Sequence, residues 1–153
     1  MTTRPTGLLD TSTVILLPRL RDPGGLPDAP LISAITLAEL SVGPLVATTD
    51  AERAARLAHL QQAEADFEPL PFDADAARAF GQVAASLRRL GRKPSARAYD
   101  AMTAAIAIAN GLPLYTCNPD DFIGIEGLDV VAVAHPDERP STGVERWLPS
   151  STA

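Results

Sequence analysis

The sequence predicts a three-layer α/β domain in which a mainly parallel central sheet is flanked by helices. Short apolar runs closed by turn residues alternate with longer stretches of helical periodicity, which is the pattern of strands joined by crossover helices. One of those stretches, ARAYDAMTAAIAIANG, is apolar on nearly every face, as a helix packed on both sides must be. At 153 residues a single core suffices to bury roughly two thirds of the unfolded surface.

The elements follow in order. Gly7 to Asp10, within GLLDTSTVILL, reads as a short buried strand, and Thr11, Ser12 or Thr13 is available to cap a helix running to about Leu17. Pro18, Pro23, Gly24, Gly25, Pro27 and Pro30 then mark a loop. Leu31 to Ser33 predicts a second strand, and Thr36 to about Val46 a helix entered through another Ser/Thr cap. Asp50 to Asp66 predicts a helix capped by Thr48, Thr49 or Asp50, and Phe67 to Pro71 a short strand. From Asp73 onward Ala76, Ala77, Phe80, Val83, Ala84, Leu87 and Leu90 keep the i, i+3, i+4, i+7 spacing of an amphipathic helix, which Gly91 ends. The apolar helix before Asn110 and Gly111 is followed by a strand at Leu112 to Thr116, and Leu128 to Ala134 is the last strand. The domain thus spans residues 1–134. Residues 135–153 form a tail rich in Pro, Ser and Thr, in which Trp147 and Leu148 are the side chains able to pin it to the body.

With 46% hydrophobic and 21% charged residues and a net charge of -6, the chain reads as soluble and globular. Asp10 interrupts the apolar run near the N-terminus, and the run from Ala101 to Tyr115 contains Thr103, Asn110, Gly111 and Pro113. Neither suits a signal peptide or a membrane span, so a cytoplasmic location is expected. The single cysteine, Cys117, excludes an internal disulfide and a multi-Cys zinc site, and reads as a small buried hydrophobe. His59 and His135 read as surface residues away from the acids considered below, which disfavours zinc and a Ser-His-Asp triad. The negative charge argues against a passive nucleic-acid coat. It hides one local exception: Arg78, Arg88, Arg89, Arg92, Lys93 and Arg97 lie between Ala76 and Tyr99, where there is no acid at all. Such a stretch is either a phosphate-binding patch or a solvated helix end and loop.

Four acids stand out of place. An unpaired carboxylate taken out of water costs several kcal/mol, so Asp10, set among aliphatic side chains, needs either the strand's exposed end or a positive partner. Sites in open parallel sheets form beyond the carboxyl ends of the strands; Asp10 ends the first strand, and Asn118, Asp120 and Asp121 follow the strand LPLYT. Glu39 shares a predicted helix face with Ile35, Ala38 and Val42, and Asp100 one with Thr103, Ala104 and Ala107. Each has a bland account, since Glu39 can snorkel outward and Asp100 can complement a helix N-terminus. Their coincidence is the stronger argument. Two unit negative charges ~4 Å apart repel by about 4 kcal/mol at an effective dielectric near 20, so converging carboxylates call for protonation or a cation. A hard divalent ion, Mg²⁺ or Mn²⁺, takes oxygen ligands, activates water and neutralises a phosphoryl oxygen.

The pieces LLDTSTVI, TLAEL and RAYDAMTAAIAIANGLPLYTCNPDDF, in that order, resemble the PIN-domain ribonucleases, and specifically the VapC toxins of bacterial VapBC toxin-antitoxin modules. The last piece is the most specific, carrying Thr116, Asn118, Asp121 and Phe122 as Thr-x-Asn-x-x-Asp-Phe. The resemblance covers about residues 6–134. It implies a three-layer PIN-like fold in which Asp10, Glu39 and Asp100 are catalytic, metal-coordinating acids. Asp121 is the favoured fourth, with Asp120 or Asn118 as the alternatives. Thr116 would hold the turn and Asn118 orient a ligand or water. The implied activity is Mg²⁺-dependent (or Mn²⁺-dependent) cleavage of single-stranded or loop RNA, commonly tRNA or ribosomal RNA, by metal-activated water. Arg92, Lys93 and Arg97 are the candidates for gripping the RNA backbone. The resemblance also implies a homodimer held inactive by a VapB antitoxin. The competing expectation is a non-catalytic module whose acids hold a structural ion or a basic partner.

Overall fold

The computed structural model describes residues 6–138. Strands β1 (Thr6–Leu9), β2 (Ala29–Leu31), β3 (Leu114–Thr116) and β4 (Val130–Ala132) pair in the order β2-β1-β3-β4, every pair parallel. Helices α1 (Thr11–Leu16), α2 (Ala34–Val42), α3 (Asp50–Asp66), α4 (Ala74–Arg89) and α5 (Ala98–Ala109) connect and cover them. The chain leaves β1 toward β2 on one side and returns to β3 on the other. That reversal opens a crevice at the carboxyl ends of β1 and β3, where parallel sheets place their ligands.

Alternation along the strands sorts the core into two clusters. Leu8 and Leu114 point to the side covered by α4 and α5, with Val83, Leu87, Ile106 and Phe122. Their neighbours Leu9 and Tyr115 point to the opposite side, with Val14 of α1, Leu40 of α2 and Ala63 of α3. The sheet therefore has a helical layer on each face, as expected. Helix α5 buries Ala101, Thr103, Ala104, Ala105, Ile106 and Ala107, matching its all-round apolarity. Gly7 is required by packing, because a Cβ there would collide with the Tyr115 ring.

The structure moves several boundaries. Asp10 itself is the N-cap of α1, accepting from the Thr13 N–H, so the hydroxyl residues after it are not the cap. Ser33 caps α2 instead of extending β2, and Thr49 caps α3. The expected strand at Phe67 to Pro71 reduces to one parallel bridge, Ser33 with Leu70, because Pro69 and Pro71 flank Leu70 and donate no backbone hydrogen bonds. Helix α2 stops at Val42 and tightens into a 3-10 turn over Gly43–Val46, where Pro44 has no N–H to continue the helix. Its buried stripe is Thr36 and Leu40; Ala38 and Val42 are exposed, so Glu39 lies at the edge of the buried face and not on it. With apolar residues nearly all around α2, periodicity alone did not identify the inner face. Cys117 is buried as expected, whereas His59 and His135 are half-buried. Among the described residues no helix is long and apolar enough to cross a membrane. Trp147, Leu148 and the tail beyond 138 lie outside the described residues.

Candidate functional site

Asp10, at the end of β1, is only 5% exposed, and its carboxylate is surrounded by donors. Oδ1 accepts from the Thr13 N–H (3.1 Å) and the Thr13 hydroxyl (2.5 Å); Oδ2 accepts from the hydroxyls of Thr116 (2.8 Å) and Ser12 (3.0 Å). The hydroxyls are themselves held. Thr13 Oγ1 accepts from the Cys117 N–H (3.0 Å), Thr116 Oγ1 from the Asn118 N–H (2.9 Å), and Ser12 Oγ from Asn118 Nδ2 (3.0 Å). This network ties the end of β1, the first turn of α1 and the end of β3 around one charge. Charge-assisted hydrogen bonds of this kind are roughly twice as strong as neutral ones, so they fix Asp10 in place.

Glu39 is held by a second, smaller chain. Thr11 donates to Glu39 Oε1 (2.7 Å) and stands 2.9 Å from the Thr36 hydroxyl. Since Thr11 has one hydroxyl proton and spends it on Glu39, Thr36 is the donor to Thr11. Thr11 thereby links α1 to α2 across the crevice.

Asp100 sits in the first turn of α5 and accepts no side-chain hydrogen bond among the described residues. Burial, then the negative charges of Asp121, Asp10 and Glu39, push its pKa up to about 6, against the opposing pull of Arg97. The four expected acids therefore share one electrostatic site. Asp121 ends the 3-10 turn Pro119–Asp121 and is paired with Arg97 at 2.5 Å; Arg92 donates to the carbonyls of Asp120 (3.0 Å) and Asp121 (3.3 Å). Asp120 is exposed, and its charge is not among those acting on Asp100.

Of the basic stretch, Arg92 and Arg97 brace the NPDD turn. Lys93 is exposed and without an ion pair among the described residues, while Arg78 and Arg89 meet Asp75 and Glu126. Glu39, Ser95, Arg97, Tyr99 and Asp100 line an open depression of about 420 Å³. A separate apolar groove of about 550 Å³ runs between α1 and α3, past Val14, Ala58, His59 and Phe67.

The donor set can be tested against a cation. It consists of carboxylate oxygens, which suit Mg²⁺ or Mn²⁺; burial pushes the Cys117 thiol up, which removes a soft ligand. Among the described residues no three Asp, Glu, His or Cys side chains stand at the spacing for joint direct coordination. The acids thus fit a hard ion that keeps several waters, as Mg²⁺ does, and not a closed protein cage. Sequence reading missed Thr11, Ser12 and Thr13 as supports of the acids. The signal was present in the run of three hydroxyl residues directly after Asp10, a pattern that serves capping equally well.

Residues 8–128 match the family described as PIN domain. The chain is 40% identical over 134 residues to Ribonuclease VapC5 of Mycobacterium tuberculosis, an alignment spanning 86% of this chain and 96% of that protein. The chain belongs to the PIN-domain family, within its VapC branch. The fold agrees. The VapBC-5 structure, a member of the VapBC family of toxin-antitoxin systems from Mycobacterium tuberculosis, matches this VapC-type PIN domain with a TM-score of 0.73 and 37% identity. The match covers 84% of this chain and 98% of that one. DNA-bound VapBC from Salmonella typhimurium matches with a TM-score of 0.66 and 30% identity, covering 82% and 96%. All four acids, Thr116 and Asn118 fall inside the PIN-domain match.

Proposed function

We propose that this VapC-type PIN domain is a divalent-metal-dependent endoribonuclease of a toxin-antitoxin module. It cuts single-stranded or loop RNA, such as tRNA or ribosomal RNA, through metal-activated water. The observation that carries the reading is the gathering of the Asp10, Glu39 and Asp121 charges around Asp100, whose carboxyl is pushed up to about 6 by burial first and by those three charges next. The resemblance to Ribonuclease VapC5 supports the same chemistry.

Asp10, Glu39, Asp100 and Asp121 would hold Mg²⁺ or Mn²⁺, in part through the waters that such an ion keeps. When bound, such an ion would supply positive charge at a phosphoryl oxygen and lower the pKa of a water molecule that it holds. The protein's own part is positioning. Ser12, Thr13 and Thr116 immobilise Asp10, Thr11 orients Glu39, and Asn118 acts through Ser12 and the Thr116 hydroxyl. Asp100, with its pKa raised to about 6, takes up a proton below about that pH, and cation affinity should decline there. The exposed Lys93, with Arg92 and Arg97, is assigned to the RNA backbone. The working state is a homodimer, inhibited by a VapB-type antitoxin whose basic tail covers the carboxylates; relatives solved as VapBC assemblies support that partner.

The purified protein should cut RNA when given Mg²⁺ or Mn²⁺. Asp10→Ala and Asp100→Ala should each slow cleavage by roughly a hundredfold or more, beyond the loss typical of a supporting residue around a metal. Cleavage at the wild-type rate by both variants would remove the acids from the chemistry, leaving them as holders of a structural ion or a basic partner.

A further inference from the structure

Among the described residues one aromatic ring stands open to solvent. Tyr99 is 60% exposed, whereas Tyr115 and Phe122 are buried and Phe67, Phe72 and Phe80 are half-buried. The fold does not need this ring: α5 is anchored through Ala101, Ala104, Ala105 and Ile106, and the Tyr99 hydroxyl has no hydrogen-bond partner among the described residues. Its position is specific. Tyr99 directly precedes Asp100 and lines the same depression as Glu39, Arg97 and Asp100. A single opening beside the acids is therefore lined by an aromatic side chain, a guanidinium and two carboxylates.

That combination matches an unpaired nucleotide. A single-stranded base exposes a π-face that stacks on aromatic side chains, and its backbone carries the phosphate that a guanidinium meets. A paired base in a duplex offers no free face, so a stacking ring beside the acids selects for single strands without reading sequence through hydrogen bonds. We propose that Tyr99 is the base-stacking residue of this site: a nucleobase next to the cleaved phosphodiester lies on its ring while Arg97 meets a neighbouring phosphate. Larger purine faces stack better than pyrimidines, so Tyr99 biases the cut toward a purine at that nucleotide. This inference rests on the RNA-cleaving reading above.

The test uses the full chain and short single-stranded RNAs in which each nucleotide in turn is replaced by an abasic one. Tyr99→Ala should raise KM on the order of tenfold while kcat changes little, Tyr99→Phe and Tyr99→Trp should restore it, and the purine bias should disappear in Tyr99→Ala alone. Binding is read separately by anisotropy on the Asp10→Asn protein. There, one abasic position should weaken binding about as much as Tyr99→Ala does, and combining the two should add nothing, because both remove the same stack. Unchanged KM and binding in Tyr99→Ala, or fully additive losses, overturn the proposal. Sedimentation velocity covers the protein alternative: dissociation of a wild-type dimer by Tyr99→Ala makes the ring a subunit contact and overturns the proposal too. A wild-type protein that cuts no RNA yet keeps the coupled Tyr99 and abasic losses sinks the ribonuclease reading while leaving the stacking contact standing.

Discussion

Asp10 and Asp100 carry the same functional group at the same edge of the sheet, yet their surroundings are opposite. Asp10 accepts four hydrogen bonds from Ser12, Thr13 and Thr116, and those donors are braced by Cys117 and Asn118. Asp100 accepts none from side chains among the described residues, and burial, followed by the charges of Asp121, Asp10 and Glu39, raises its pKa to about 6. One acid belongs to the framework and the other responds to what enters the crevice. Desolvation and neighbouring charge weigh most on a carboxyl that no hydrogen-bond donor answers.

The comparison can be broken most directly at Asp10. Asp10→Ala removes an N-cap and strands the buried Thr13 and Thr116 donors, so it should lower unfolding free energy by about 3 kcal/mol in urea titrations. A loss within experimental error of zero would mean that the network is ornamental. Asp100→Asn should act in the other direction. A carboxyl whose folded pKa is near 6, above the 3.8 of the free side chain, binds more proton folded than unfolded between those values, so stability rises as pH falls through 6. In chelator-treated protein Asp100→Asn should therefore stabilise by roughly 1–2 kcal/mol at pH 8, after discounting for solvent screening, and by almost nothing near pH 4. A gain independent of pH would point to a packing effect. Thr11→Val, which takes the donor from Glu39, should reduce cleavage roughly tenfold, as loss of an orienting group around a metal does, with a far smaller change in stability. An unaltered rate would show that Glu39 needs no orientation. The smallest effect is expected at Arg97→Gln. Its pair with Asp121 is more than a third exposed on both sides, so thermal melts should register under about 1 kcal/mol, shrinking further in high salt.

Much of this is legible in the sequence. The alternation of apolar runs with helical stretches is a local property, and it points to the parallel α/β class, the two-sided packing of α5 and the Ala76, Val83 and Leu87 stripe of α4, although Ala77 and Leu90 are exposed and Ser86 is buried. Asp10 is visible as an acid inside an apolar run and Asp100 as an acid on an apolar helix, whereas the face assigned to Glu39 is not the one that α2 buries. What failed was local where several answers were chemically equal. Asp, Ser and Thr all cap helices, so DTST did not say that Asp10 caps α1 while the hydroxyls hold carboxylates. An almost wholly apolar α2 hid its inner stripe, and a basic stretch free of acids gave no sign that Arg78, Arg89 and Arg97 would meet Asp75, Glu126 and Asp121.

The amino-acid sequence alone is enough for the parallel α/β class and for most of its elements, because burial patterns repeat over a few residues and need no partner to be read. Only the tertiary structure decided which donors close around Asp10, which acid answers the others' charge, and which ring opens on the crevice. Those depend on the β2-β1-β3-β4 order, which brings residue 10 beside residue 116 and Glu39 and Tyr99 into one depression. Hydrogen bonds and Coulomb forces act through distances in space, and residues far apart in the chain acquire those distances only when the sheet forms.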